Sequence, residues 1–577
     1  MVPNIVMGSK TYGLLAYLYG PGRRDEHTDP HLVASFDGFA PDPGRDIDAS
    51  LKQLQTVLDM RVDQLGRARR PAKHVWHCSV RTAPDDRPLT EEEWAEVARR
   101  VVAATGIAPD GDPDGCRWVA VRHATDHIHI VATTVRGDLT QARLRRDYPR
   151  AQAACRTIEK EWGLRQLNPG DGTAAKEPTN REKHKAQRLG QEDTSRQRLR
   201  DAVRQALAGA RDEEEFFARL EAAGVLVNRK TGPSGDTLGY SVALVGERDS
   251  AGEPVFFGGY RLAPDLTLPR IRRRLQVPLD DRTADDQSAA PAGGGRTPGG
   301  RRSPAATARL WAADAAAEAI DVLDSETPAD AAAVTEATGE VLDALAATAL
   351  PAQKQQLLAA ARAYERASRS HVRAANSSAR AVRSAARAVL SGGYAGNRGP
   401  DGSAAATLLS LLVLLVIATG RWHAEQGHRQ QAAAAREAAA HLRAAYRHAA
   451  ARPMAVLQER GRALPPQVRE RQERAARRAV PGEGAHRLLA APEFDALAAA
   501  LAEAEAAGHD PKALLKRARS WRELDSADSE TAVLTWRVRH IAKLPHPAAA
   551  DGARPGPASA PAAPATPATP ADPRRRR

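Results

Sequence analysis

The stretch Arg117-Trp118-Val119-Ala120-Val121-Arg122-His123-Ala124-Thr125-Asp126-His127-Ile128-His129-Ile130-Val131-Ala132 decides how the first third of this chain is read. It holds two strand-like runs joined by a short polar break. Alternate residues of a strand share a face, so His127 and His129 project the same way. The preceding run ends at His123, and a tight turn would bring that imidazole over the other two. Three neutral imidazoles on a rigid sheet make a half-shell for a divalent cation, with positions left open for a substrate oxygen. A lone histidine here would read as a polar strand edge; three at this spacing predict a metal centre.

Outward from this core, residues 1–166 mix strand and helix patterns. Strand-like runs cover Asn4–Met7, His74–Val80, Trp118–His123 and His127–Val135. Helical patterns cover Tyr12–Tyr19, Ile47–Leu65, Thr90–Thr105 and Tyr148–Trp162. Thr90-Glu91-Glu92-Glu93 has the form of a capping box. The interleaving predicts an α+β domain, a sheet covered by helices on one face. Residues 167–285 read as a charged linker and a small α+β extension. Its helix is expected at Glu214–Ala223 and its short strands at Val225–Val227, Tyr240–Val245 and Val255–Tyr260. A Gly/Pro/Ser-rich linker is expected at 286–306, an Ala-rich helical region at 307–545 and a disordered Pro/Ala-rich tail at 546–577.

The chain has 577 residues, room for roughly three or four domains. Its aromatic content of 4% argues against a large aromatic core outside the first third. Cys78, Cys116 and Cys155 form no CxxC pair and suit a reduced cytoplasmic compartment. No basic region followed by a long apolar run opens the sequence, so no signal peptide is expected. The net charge is +13, unevenly spread. Residues 1–150 carry 21 Lys and Arg against 21 Asp and Glu, whereas residues 301–577 carry 39 against 28. Any DNA held by the first domain is therefore held by a local groove and a metal rather than by bulk charge. Lys354–Arg398 is the most basic part of the C-terminal half, with nine Lys/Arg and one acid.

Gly402–Gly420 is uncharged and centred on Leu408-Leu409-Ser410-Leu411-Leu412-Val413-Leu414-Leu415-Val416-Ile417. Its length is near the threshold of about 18 residues for a bilayer span. A membrane-associated helix and a buried bundle helix are both open readings of 402–420, and basic residues on both sides specify little orientation.

A metal held by imidazoles acts as a Lewis acid on a carbonyl or phosphoryl oxygen. The nucleophile is then a water or a side chain. Tyr12, Tyr17 and Tyr19 lie just before the break Gly20-Pro21-Gly22. A phenol is a weak nucleophile at neutral pH because its pKa is about 10; a nearby cation that stabilises developing phenolate relieves this. Taken alone, the three tyrosines read more readily as core or helix-face residues.

Four segments together resemble the MobA/VirD-type relaxase (mobilisation nuclease) family, actinobacterial type. They are Leu14-Leu15-Ala16-Tyr17-Leu18-Tyr19-Gly20-Pro21-Gly22-Arg23, Glu26-His27-Thr28-Asp29-Pro30-His31, Val75-Trp76-His77-Cys78-Ser79-Val80-Arg81, and the histidine stretch from Arg117 to Ala132. Gly239-Tyr240-Ser241-Val242 and Leu262-Ala263-Pro264-Asp265-Leu266 resemble an extension found in such proteins. The resemblance implies a histidine-metal fold with an antiparallel sheet. It also implies an enzyme that nicks one strand at the transfer origin of a plasmid or integrative element for conjugation, forming a 5′-phosphotyrosyl intermediate. On this mapping His123, His127 and His129 hold the metal and Tyr17 is the preferred nucleophile. Tyr19 is its competitor and Tyr12 a weaker one; Tyr17 and Tyr19 lie about 200° apart on a helix and cannot share one site.

Supporting roles fall to His27, Asp29, His31, His77 and Asp126, and phosphate contacts to Arg81 and Arg122. For His27, Asp29 and His31 the competing reading is an ordered turn at Asp29-Pro30. Mg²⁺ or Mn²⁺ is the expected ion, with Zn²⁺ also suited to three imidazoles. The implied partners are single-stranded origin DNA, accessory DNA-binding proteins and a type IV secretion coupling protein. A rolling-circle replication initiator or transposase with the same chemistry, and a non-catalytic DNA-processing accessory protein, are the alternatives. No GxxxxGK[ST] loop is present to indicate a fused motor.

Overall fold

The alternating pattern of residues 117–132 becomes the centre of a five-stranded sheet in a computed structural model. The structure describes residues 1–21, 27–167, 171–249, 251–276, 303–325, 327–372, 374, 379–396, 399–520 and 529–544. Two compact units divide the chain, Met1–Gly170 and Asp171–Arg577.

In the first unit the elements run β1 (Val2–Gly8), α1 (Thr11–Tyr19), β2 (His31–Ser35), α2 (Leu51–Gln64), α3 (Gly66–Arg69), β3 (Val75–Arg81), α4 (Glu91–Thr105), β4 (Trp118–Arg122), β5 (His127–Thr133) and α5 (Asp147–Glu161). Every pairing is antiparallel, in the order β1-β3-β5-β4-β2. The strands β3, β5 and β4 therefore lie inside, where both their edges are paired. The capping box of α4 forms as expected between Thr90 and Glu93, and Ser50 and Gln53 make a second at α2.

Strand alternation sorts two cores. Trp76, Cys78, Val80, Ala120, Ile128, Ile130 and Ala132 pack under α4 and α5, with Trp94, Val97 and Val101 against them. Val75, Val119, Val121 and Val131 point the other way and meet Leu15 and Leu18 of α1 and Leu54 and Leu58 of α2. Helices thus cover both faces of the sheet, a correction to the one-sided layer expected from sequence. The second layer matters for the site because it seats α1 on the face that carries His127 and His129. Each fully buried leucine contributes about 1.5–3 kcal/mol relative to exposure, so α1 is anchored by its packing.

The second unit contains both the small α+β extension and the helical region. Its elements are α6 (Asn180–Arg188), α7 (Ser195–Gly209), α8 (Glu213–Ala222), β6 (Val225–Thr231), β7 (Thr237–Leu244), β8 (Phe257–Gly258), α9 (Gly259–Leu262), a 3-10 turn at Pro264–Leu266 and α10 (Leu268–Leu275). Then come α11 (Pro304–Ser325), α12 (Pro328–Ala347), α13 (Pro351–Ala367), α14 (Arg380–Gly392), α15 (Gly399–Glu425), α16 (Arg429–Arg462), α17 (Pro466–Ala479), α18 (Glu483–Ala490), α19 (Phe494–Ala506), α20 (Pro511–Ser520) and α21 (Glu530–Ile541). The expected strand at Val255–Tyr260 is shorter than its sequence suggests, because Gly259 begins a helical turn. Of the linker expected at 286–306, residues to 302 lie outside the described residues and the rest opens α11. The tail from 546 also lies outside them.

The two extension motifs meet: the Tyr240 hydroxyl donates to the Leu266 carbonyl at 2.8 Å. Asp265, between them in sequence, accepts from Arg204 at 2.8 Å and from Arg369 at 2.6 Å. This begins a seam of ion pairs between extension and bundle. Arg362 binds Asp193 and Asp201 at 2.7 and 2.6 Å, Arg366 binds Asp171 at 3.1 Å, and Arg387 binds Glu215 at 3.2 Å. Arg274 of α10 reaches Glu340 of α12 in the same way. Four arginines of the basic run Lys354–Arg398 are therefore neutralised within their own unit.

The apolar segment forms the middle of α15. Leu408, Leu412, Leu415 and Val416 are completely or almost completely buried in the largest hydrophobic cluster. By length and composition α15 qualifies as a membrane span, but 72% of its apolar window is buried inside the protein. Such a helix is equally the core of a bundle, and here its apolar surface is packed against protein.

Candidate metal centre and its tyrosine

Antiparallel register places Ser79 opposite His129 and Arg81 opposite His127, while β4 runs out at Arg122, leaving His123 in the turn beside them. The side chains of His123, His127 and His129 each offer a nitrogen, and these lie within 4.8 Å of one another. The His123 and His129 rings stack with centroids 4.6 Å apart, and His127 stands edge-on to both at 4.8 and 5.1 Å. Both ring nitrogens of His123 and Nε2 of His129 are buried without a hydrogen-bond partner among the described residues. An orphaned buried polar atom costs about 1–3 kcal/mol, so three together fit a ligand set and not a packed core.

The remaining ring nitrogens are held from behind. His129 Nδ1 lies 2.8 Å from His77 Nε2. His129 binds a cation through Nε2 only with its proton on Nδ1, so His129 donates and His77 accepts. His127 Nδ1 lies 2.6 Å from Asp126 Oδ1, a charge-assisted contact that fixes the proton on Nδ1. Arg81 Nη2 is 3.1 Å from the same nitrogen, and Arg81 Nε pairs with Asp126 at 3.3 Å. One nitrogen carries one proton, so Arg81 acts on the carboxylate.

Burial keeps these imidazoles neutral. It pushes His77 and His123 down to about 4, the neighbouring His27 and His127 adding to the effect at His123. Burial and then His77 and His123 push His129 down to about 2. His127 is also lowered by burial, against the opposing pull of Asp126. For Asp126 burial works upward, yet His127 and Arg81 outweigh it and hold the carboxyl below its ordinary range. Neutral imidazoles are the form that binds metal.

The tyrosine segment meets this cluster through His27. Its ring lies 3.8 Å from that of His123, and Tyr17 meets it edge-on at 5.1 Å. His27 Nδ1 donates to the Gly20 carbonyl at 2.9 Å, and the Thr28 amide to the His123 carbonyl at 2.8 Å. Tyr17 is 43% exposed.

Tyr19 faces elsewhere. Its hydroxyl donates to Asp42 Oδ1 at 3.0 Å, and burial together with the Asp42 charge pushes its ionisation well above the ordinary phenol range. Asp42 also accepts from the Leu32 amide at 2.9 Å and the Gly44 amide at 2.9 Å. Gly44 has no alternative, since a Cβ there would sit 1.9 Å from the Pro30 carbonyl oxygen. Tyr12 is exposed and has no ring contact with the histidines among the described residues. Gly22, Arg23 and Glu26 of the family-like segments lie outside the described residues.

Other sequence candidates are engaged in shaping the turn. Asp29, at φ 50°, is clamped by both Arg45 guanidinium nitrogens at 2.6 and 2.7 Å. His31 is buried between the Asp29 carbonyl at 2.7 Å and Glu91 at 3.0 Å. Arg122 alternates away from His123, donates to the Ala124 carbonyl at 3.2 Å and lies 4.0 Å from Glu91. Asp42 was invisible to sequence reasoning, having no motif around it. The strand His31–Ser35 was also missed, although its apolar run between Pro30 and Gly38 carries a strand signal.

Residues 46–164 match the family described as Relaxase: MobA/VirD2-like, nuclease domain. No curated protein and no solved structure matches the chain. The matched segment includes His77 and the three clustered histidines and begins after Tyr17 and His27. The first unit therefore carries a nuclease domain of the MobA/VirD-type relaxases. The match supports a DNA relaxase, an enzyme that nicks DNA.

Proposed function

We propose that the chain nicks one strand at a transfer origin through attack by Tyr17, leaving the 5′ end on the protein for conjugative mobilisation. The observation that carries this reading is the contact chain Tyr17–His27–His123, which joins an exposed phenol to the histidine cluster. His123, His127 and His129 would hold Mg²⁺ or Mn²⁺, with Zn²⁺ also compatible with the donors. When bound, the cation would draw negative charge from the scissile phosphodiester and favour the phenolate.

Tyr17 Oη forms a bond to phosphorus while the P–O3′ bond breaks. The phenol loses its proton, and the departing 3′ oxygen takes one up to become a free hydroxyl. His27, anchored by Gly20, sets the Tyr17 ring; His77 and Asp126 set the tautomers of His129 and His127. Preorganising the attacking and accepting groups in this way removes orientational entropy from the barrier. The reading of 402–420 that fits its packing is a bundle core without membrane anchoring.

The test is a denaturing gel of full-length protein incubated with single-stranded origin DNA and Mg²⁺ or Mn²⁺. A covalent adduct is expected, lost in Tyr17→Phe and kept in Tyr19→Phe. An adduct that survives Tyr17→Phe moves the nucleophile elsewhere, and cleavage without an adduct overturns the mechanism.

A further inference from the structure

The charge of the helical half is exposed mainly where ion pairs do not reach. In the run Lys354–Arg398, Arg362, Arg366, Arg369, Arg383 and Arg387 all pair with acids of their own unit. The helices α17 and α20, which pack side by side, behave differently. Buried Gln472, Ala476 and Ala479 turn one side of α17 inward, and Leu514, Leu515 and Ala518 do the same for α20. On the outer sides Arg474, Arg477, Arg478, Lys512, Lys516 and Arg517 are exposed, with no ion pair among the described residues.

Nearby acids are turned to other partners. Asp495 pairs with Arg469 at 2.7 Å, Glu503 with Arg539 at 2.5 Å, Glu505 with Arg471 at 3.2 Å, and Glu473 with Arg469 at 3.3 Å. The acidic helix α19 thus satisfies inner and flanking arginines, and on the outer side the six exposed basic residues outnumber the exposed acids Glu470 and Asp510. Meanwhile residues 1–150 have no net charge with which to retain a polyanion.

We propose that the outer face of α17 and α20 binds the phosphate backbone of duplex DNA without reading its sequence. Backbone attraction to clustered Lys and Arg is sequence-independent and releases condensed counterions. A single strand is the poorer fit, because single-strand sites add aromatic platforms for base stacking. Neither α17 nor α20 contains an aromatic residue. The duplex flanking a nick is the DNA this face would hold while the first unit works on the exposed strand. The proposal takes its DNA partner from the nicking function, but its probe carries no origin and needs no cleavage.

The experiment compares full-length protein with the R477Q/R478Q/K512Q/K516Q variant. The probe is a random-sequence duplex several helical turns long, titrated over a range of salt. The slope of log K against log salt should fall by about 0.9 for each phosphate no longer neutralised, about 3–4 in all, with affinity at low salt reduced on the order of tenfold or more. A charge-keeping R477K/R478K variant should retain the parental slope. The quadruple variant should still form the covalent adduct with a short single-stranded origin oligonucleotide, which separates this face from the nuclease reaction. Unchanged duplex affinity and slope in the quadruple variant overturn the proposal, and so does an equal weakening on an unstructured single strand.

Discussion

His77 Nε2 stands 2.8 Å from His129 Nδ1, so a residue outside the clustered triad dictates which nitrogen of His129 faces the cluster. Because Nδ1 must donate for Nε2 to remain a free ligand, His77 and His129 are a matched pair of tautomers. Replacing His77 by Ala should lower divalent-cation affinity about 10–100-fold, the usual loss on removing a partner behind a ligand. Calorimetric titration of Mn²⁺ measures it. An affinity equal to the parent would show that His77 does not position His129.

Asp42 gathers the end of α1, the start of β2 and its own loop through three hydrogen bonds. Asp42→Ala would leave the Tyr19 hydroxyl and the Leu32 amide without partners. A loss of about 1–3 kcal/mol is expected, read by chemical denaturation. Asp42→Asn keeps an acceptor oxygen and should lose less. Equal losses in both variants would assign the effect to charge and not to the bonds.

Leu412 is completely buried near the middle of α15. If α15 is a bundle core, Leu412→Ala leaves a cavity and should cost about 2–5 kcal/mol of stability in the full-length chain. The denaturation midpoint in detergent-free buffer tests this. A protein that fractionates with membranes and whose midpoint ignores Leu412→Ala would restore the spanning reading.

Glu215 links α8 to α14 and gives the second unit an acid-sensitive joint. Burial tends to raise its carboxyl, but the Arg211 amide and the Arg219 and Arg387 guanidiniums outweigh burial and bring it to about 2. The folded form therefore holds its proton less tightly than the unfolded chain. This contribution is complete above the unfolded value of about 4.3 and is lost as pH falls towards 2. Glu215→Gln should flatten the acid limb of the unfolding curve between these values. An acid limb identical to the parent would remove Glu215 from the joint.

The histidine half of the site was legible because strand alternation is local: two residues separated by one, on a run of β-branched neighbours, must share a face. The different surroundings of Tyr17 and Tyr19 were not legible in the residues themselves. Helical geometry separates them, but the group that pins Tyr19, Asp42, comes 23 residues later in an irregular loop. The strand His31–Ser35 escaped because its pairing with β4 shifts register between Leu32 and Ala34, which blurs a period already only five residues long. Helical cover on the second face was hidden for a related reason. Leu15, Leu18, Leu54 and Leu58 announce apolar helix faces, but nothing local says which side of the sheet they choose. Composition likewise counts the arginines of Lys354–Arg398 without knowing that most of their carboxylates lie far upstream, between Asp171 and Asp265.

That last feature bears on how the helical half can be studied alone. A fragment beginning at residue 303 would keep Arg362, Arg366, Arg369 and Arg387 but discard Asp193, Asp201, Asp171, Asp265 and Glu215, which neutralise them. The cut would uncover a cationic scar the intact molecule never shows. Nucleic acid retained by such a fragment would report the scissors, whereas a boundary placed before Asp171 keeps these carboxylates with their arginines.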